Sequence, residues 1–175
     1  NDIYFDTSKH PSYSLIYNSI NELDVTYIHL VRNPYQFVYS QTKKKEYLLG
    51  KMSIFRASLQ WLVYNLFYEI FRFFNKSKCT RIFYEDFVEN PNKVLKNIQK
   101  FNPELNKIKL FKFNNKKQIQ LKIGHSLAGN PDKFSDKTIQ IENKKHKVST
   151  FHKIFIFLIC FPLILLYNKK YIFKK

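Results

Sequence analysis

Glycine is scarce in this sequence, with three in 175 residues. No Gly-x4-Gly-Lys-Ser/Thr phosphate loop is present, which weighs against a nucleoside triphosphatase. The two cysteines, Cys79 and Cys160, cannot build a disulfide framework. Neither has a partner at metal-ligand spacing, so both read as small core residues and no metal site is expected. Acidic residues are few, 13 against 30 Lys and Arg, leaving a net charge of +17. Arginine is also rare. Only Arg32, Arg56, Arg72 and Arg81 occur, so 26 of the 30 basic residues are lysine. A nucleic-acid-binding module would interleave arginine and aromatic residues on one face, whereas these lysines are spread diffusely, so no specific nucleic acid is expected. The abundance of Lys with Asn and Ile points to a biased coding background; a selected basic surface is the alternative source of the charge. No Met opens the chain, and Asn1 stands just before an apolar stretch. The expectation is a chain cut inside a longer protein, with any targeting signal upstream.

What is present is apolar and aromatic: 45% hydrophobic and 18% aromatic residues, enough to fold and bury a core. Ile3 to Phe5 suits a short strand, and Pro11 opens a helix with Leu15, Ile16 and Ile20 on one face. Val25 to Val31 is β-branched and nearly continuous in apolar character, the mark of a buried parallel strand. Asn33 and Pro34 then supply an N-cap and a first helical residue for a helix toward Lys45. A longer helix is predicted from Ser53 to about Asn75, because Phe55, Leu59, Leu62, Val63, Leu66, Phe67, Ile70 and Phe74 recur at three- and four-residue steps. Cys79 to Tyr84 is a second strand, and Asn90-Pro91 opens a helix carrying Val94, Leu95, Ile98 and Phe101. Strands alternating with helices predict an α/β domain with a parallel sheet. Residues 102–124 read as surface loops.

The chemistry centres on Arg32 at the end of the strand. In parallel α/β sheets ligands sit at the carboxyl ends of strands, and helix N-terminal amides favour an anion there. An arginine adds a planar, permanently charged fork suited to phosphate. Ser40, in the second turn of the following helix, offers a hydroxyl donor if that turn curls around the anion. The bland alternative is a surface arginine and an ordinary helix serine.

The segment Leu30-Val31-Arg32-Asn33-Pro34-Tyr35-Gln36-Phe37-Val38-Tyr39-Ser40 resembles the 3'-phosphate-binding segment of the sulfotransferase superfamily, Arg-to-Ser spacing included. Asn33-Pro34 stands where that family more often has Asp-Pro. Further segments match in order. Asp6-Thr7-Ser8-Lys9 resembles "DSSK"; Trp61 and Asn65 fit a Trp-x3-Asn feature. Arg81-Ile82-Phe83-Tyr84-Glu85-Asp86-Phe87 with Asn90-Pro91 resembles "RYEDL…DP". His125-Ser126-Leu127-Ala128-Gly129-Asn130-Pro131 resembles the "HS.SGNP" loop of bacterial-type members, and Pro162-Leu163…Tyr167 resembles a family terminus.

The resemblance implies a P-loop-like three-layer α/β sandwich with a central parallel sheet, its first strand and 5'-phosphosulfate loop absent from these residues. It implies transfer of a sulfuryl group from 3'-phosphoadenylyl sulfate, without a metal, to a hydroxyl or amine of a small-molecule or glycan acceptor. Arg32, Ser40, Tyr84 and Lys133 would hold the donor nucleotide, Lys133 replacing the family's usual arginine. His10 is the candidate base for the acceptor hydroxyl and Lys9 the candidate cation on sulfate or leaving phosphate. His10 could equally be a solvent-exposed loop residue, and His29 reads as packed in its strand. Alternatives from other classes are a basic nucleic-acid-binding module and a non-catalytic fragment keeping the fold; the fragment alone is expected to be inactive.

Residues 1–145 read as the partial α/β domain, and 146–175 as a basic, apolar C-terminal helix. Ile154 to Tyr167 is a 14-residue apolar run flanked by lysines and interrupted by Pro162, short of the ~20 residues a membrane span needs. It reads either as a helix buried on the sheet or as a peripheral membrane contact, a true span being the least supported. The expected location is cytoplasmic or membrane-associated.

Overall fold

The computed structural model describes residues 3–4, 6–7, 10–43, 52–107, 112–114, 117–121, 137–140 and 148–167. In chain order the elements are α1 (Ser12–Asn18), β1 (Tyr27–Val31), α2 (Pro34–Thr42), α3 (Ile54–Phe74), β2 (Cys79–Phe83), α4 (Tyr84–Glu89), α5 (Pro91–Phe101), a 3-10 turn (Pro103–Lys107), β3 (Gln118–Leu121), β4 (Lys137–Gln140) and α6 (Thr150–Leu166). The fold is mixed α/β and mostly helical, with one parallel strand pair among the described residues. The chain forms two compact units, Asn1–Phe83 with Lys145–Lys175, and Tyr84–Lys144.

In the first unit β1 and β2 run parallel, with Tyr27 beside Cys79, His29 beside Arg81 and Val31 beside Phe83. Parallel neighbours need a long crossover, and α2 and α3 supply it. Local chemistry starts each helix. Asn33 caps α2 by accepting from the Tyr35 and Gln36 amides, with buried Pro34 as its first residue. The Ser53 side chain accepts from the Arg56 amide at the start of α3, and Ser149 accepts from the His152 amide at the start of α6.

The main core joins Val31 of β1, Val38 of α2, Ala57 and Trp61 of α3, and Ile156, Cys160, Leu163, Ile164 and Tyr167 at the C-terminal end. One side of the apolar run of α6 is therefore committed to the protein's own core. Burial raises the Cys160 thiol to about 12 and the Cys79 thiol to about 11, as expected of small core residues. Among the described residues, no helix is long and apolar enough to cross a membrane.

Three expectations need correction in this first unit. Ile3 and Tyr4 are not in a strand, while Phe5 lies outside the described residues. In β1, Tyr27, His29 and Val31 are buried, but Ile28 and Leu30 on the opposite face are exposed. Their apolar character signalled a strand without signalling which faces are covered. In α3 most of the expected apolar face is exposed, with Leu62 and Phe67 of that set half-buried against the cores. Ala57, Trp61, Asn65 and Glu69, four residues apart, are buried, whereas Phe55, Leu59, Val63, Leu66, Ile70 and Phe74 are exposed.

The second unit opens with α4, whose first turn holds Glu85 and Asp86, favourable against the helix dipole. The Asn90 side chain accepts from the Lys93 amide to cap α5, whose buried face is Pro91, Val94 and Ile98. The Asn92 side chain brackets Phe113, donating to its carbonyl at 2.9 Å and accepting its amide at 3.0 Å. Residues 102–124, expected to be loop, contain the 3-10 turn around buried Leu105 and β3, which pairs antiparallel with β4.

Candidate functional site

Arg32 leaves β1 at its carboxyl end, one residue after buried Val31. The turn that presents it is held from α3: Trp61 Nε1 donates to the Arg32 carbonyl at 2.8 Å. Trp61 is itself 2% exposed, so a large rigid side chain in the core fixes the backbone from which the guanidinium extends. Four residues on, Asn65 Nδ2 donates to the Trp61 carbonyl at 2.6 Å, and Asn65 Oδ1 pairs with His29 Nε2 at 3.0 Å. The Trp-x3-Asn pair thus ties one face of α3 to β1 and to the turn that follows it.

Below this clamp lies a buried ionic network that the sequence reading missed. Glu69 Oε1 accepts from Arg81 Nη1 at 2.9 Å and Oε2 from Arg72 Nη2 at 2.7 Å. His29 Nδ1 stands 3.6 Å from Glu69 Oε1, beyond hydrogen-bond reach, and the ring stacks on Tyr68. Burial pushes the His29 imidazole down to about 4, against the opposing pull of Asn65 and Glu69. Burial also pushes the Glu69 carboxyl up, but the bonds from Arg72 and Arg81 outweigh it and hold the group below its ordinary range. Glu69 is therefore ionised and His29 neutral near pH 7. One signal was legible: the spacing of Asn65, Glu69 and Arg72 places polar groups on one helix face, and His29 shares the inward face of β1.

The helix after Arg32 is less open to an anion than helix N-termini in general. Pro34 has no N–H, and Asn33 Oδ1 already accepts from the Tyr35 amide at 2.9 Å and the Gln36 amide at 3.3 Å. The Phe37 amide donates to the Asn33 carbonyl at 2.9 Å. The first-turn donors are thus engaged by the cap. Ser40 Oγ donates to the Phe37 carbonyl at 2.7 Å, six residues past Pro34 and about 9 Å along the helix axis. Any anion that touches both Arg32 and Ser40 lies alongside α2, not on its axis.

His10 is exposed before α1. Its Nδ1 accepts the Ser12 amide at 3.3 Å and lies 2.8 Å from Ser12 Oγ, and its ring meets Tyr64 of α3 edge-on. An Nδ1 that accepts places the proton of the neutral ring on Nε2, so neither nitrogen offers an open lone pair in this arrangement. Tyr84 opens α4 in the second unit. Lys9, Lys133 and the His125–Pro131 loop lie outside the described residues. Of the expected site residues, Arg32 and Ser40 share one segment, with His10 elsewhere in the same unit. Among the described residues no group of three or more His, Cys, Asp or Glu gathers to hold a metal.

No family model, curated protein or solved structure matches the chain.

Proposed function

We propose that this chain binds an adenosine nucleotide bearing a 3'-phosphate and serves sulfuryl transfer from 3'-phosphoadenylyl sulfate to a hydroxyl or amine of a small-molecule or glycan acceptor. The observation that carries the reading is Arg32 at the carboxyl end of β1, its carbonyl clamped by Trp61, in the segment that resembles the 3'-phosphate site of sulfotransferases. The finer architecture, a P-loop-like three-layer sandwich around the parallel pair, belongs to the same proposal.

In this reading the Arg32 fork takes the 3'-phosphate beside the first two turns of α2. Ser40 Oγ contributes after turning away from the Phe37 carbonyl, at a cost of about 1 kcal/mol for the exchanged bond. The resemblance implies Lys9 as the cation on the transferring group. His10 takes the acceptor proton once its ring leaves Ser12, and the acceptor oxygen or nitrogen displaces the phosphate oxygen at sulfur. A second reading, nucleotide binding without transfer, is favoured by one observation: the His10 Nδ1 lone pair is already engaged by Ser12.

Calorimetry on the chain tests the shared core of both readings. Adenosine 3',5'-bisphosphate should bind about ten- to hundredfold tighter than adenosine 5'-phosphate, the range expected for charge-assisted bonds to one phosphate. Arg32→Ala should abolish that preference, and Arg32→Lys should weaken it, since lysine keeps the charge but loses the fork. Equal preference in wild type and Arg32→Ala would make Arg32 a structural surface residue.

A further inference from the structure

The outward face of α6 is not explained by nucleotide chemistry. Phe151, Ile154, Leu158, Phe161 and Leu165 follow one another at alternating steps of three and four residues and are all exposed, Phe151 at 76% and Leu158 at 64%. The opposite face, Ile156, Cys160, Leu163 and Ile164, is buried in the core. Phe155 also meets Phe55 of α3 at 6.4 Å between ring centroids, and Phe55 is exposed, so the apolar surface extends onto the start of α3. A contiguous apolar stripe of this kind marks an interaction surface.

Charge selects the partner. From Asn143 to Lys175 the sequence holds eight lysines and no acidic residue, and Lys153 is exposed within the helix itself. An apolar stripe flanked in sequence by lysines matches a bilayer rich in anionic lipid, where headgroups meet lysines and acyl chains meet the stripe. A second copy of this chain would bring a second +17 charge toward the first, and a nucleic-acid backbone has no apolar surface for Phe151 or Leu158. We infer that α6 lies flat on anionic membrane surfaces, with its Phe151-to-Leu165 stripe in the outer acyl region and the flanking lysines at the headgroups.

Geometry favours lying over crossing. The 17 residues of α6 extend about 26 Å, less than the ~30 Å of a hydrocarbon core. Crossing would also strip Ile156, Cys160 and Ile164 out of the protein core. Pro162 has no N–H for the Leu158 carbonyl, leaving an acceptor that an interface can hydrate and hydrocarbon cannot. An isolated interfacial helix needs a polar face; here the rest of the first unit occupies that side.

The test is co-sedimentation of the full 175-residue chain with vesicles of phosphatidylcholine, alone or with about 30% phosphatidylserine. Partitioning should be about tenfold or more stronger onto the anionic vesicles and should weaken with added salt. The double variant Leu158→Glu with Phe161→Glu should cut partitioning about tenfold or more while circular dichroism and the emission of buried Trp61 stay unchanged. Should that variant fail to fold, Phe151→Trp gives an independent reading, its added indole emission shifting blue on anionic vesicles only. No partitioning, equal partitioning onto neutral vesicles, or an unshifted emission from the Phe151→Trp variant overturns the inference. So does a lipid-free dimer in analytical ultracentrifugation that the double variant disperses, since the stripe would then be an interface between copies.

Discussion

Replacing His29 with phenylalanine should flatten the acid side of the stability curve. The ring is 6% exposed and is faced by Asn65, Glu69 and Arg72 from α3 and by Arg81 from β2. In the unfolded chain the imidazole titrates at its ordinary 6.5, and in the fold at about 4. Between these values the unfolded state binds the extra proton, so stability rises with pH through this window and is lost as pH falls through it. At about 1.4 kcal/mol per pH unit, the gap caps the loss at about 3 kcal/mol. That is a large share of the roughly 5–15 kcal/mol typical of a domain. Urea titrations followed by the single tryptophan, Trp61, at several pH values between about 7.5 and 4 would span the window and measure it. His29→Phe should be the less stable protein at pH 7, where it lacks the bond to Asn65. The difference should shrink steadily toward pH 4. Parallel curves for the two proteins would refute the argument and show that His29 titrates in the fold as it does in the unfolded chain.

Glu69→Gln should destabilise the fold by about 2 kcal/mol at pH 7, below the usual cost of breaking a buried pair because Arg72 and Arg81 are partly exposed. The penalty should vanish in urea titrations as pH falls well below the ordinary 4.5 of the carboxyl, since the stability from a depressed carboxyl is present above that value and lost beneath it. Trp61→Phe should cost about 1–3 kcal/mol for the orphaned Arg32 carbonyl, read by circular dichroism, and, on the proposed function, should reduce any 3'-phosphate preference that calorimetry measures.

Much of the helical framework is legible in local sequence. Asn33-Pro34, Ser53 and Asn90-Pro91 each carry a capping side chain or a prearranged first residue, and each helix starts at that signal. The β-branched run before Arg32 becomes β1 for the same local reason. The sequence places Tyr84 at the end of the second strand, yet Tyr84–Glu89 form α4, whose two first-turn carboxylates favour a helix. The β3–β4 pair is not legible. Gln118–Leu121 and Lys137–Gln140 are short and polar, and their pairing is set by partners far apart in sequence.

The helix α3 shows why periodicity located an element but misassigned its faces. Its apolar stripe is longer than its polar one, so hydrophobic burial alone would turn Phe55, Leu59, Val63, Leu66 and Ile70 inward. The observed orientation turns in Ala57, Trp61, Asn65 and Glu69 instead. Each polar member has a partner that the opposite orientation would forfeit: Asn65 the His29 ring, Glu69 the Arg81 guanidinium, Trp61 the Arg32 carbonyl. A half-satisfied buried network is costly, so these bonds specify the rotation of α3 about its axis as a set. The same set connects the core to the strand end. Loosening Glu69 acts on Arg81 and the neighbouring His29, then through Asn65 on Trp61, whose indole holds the Arg32 backbone. On the proposed function, stability and 3'-phosphate binding should therefore fall together in variants of this face, whereas changes on the exposed Leu59–Ile70 stripe should leave Arg32 where it is.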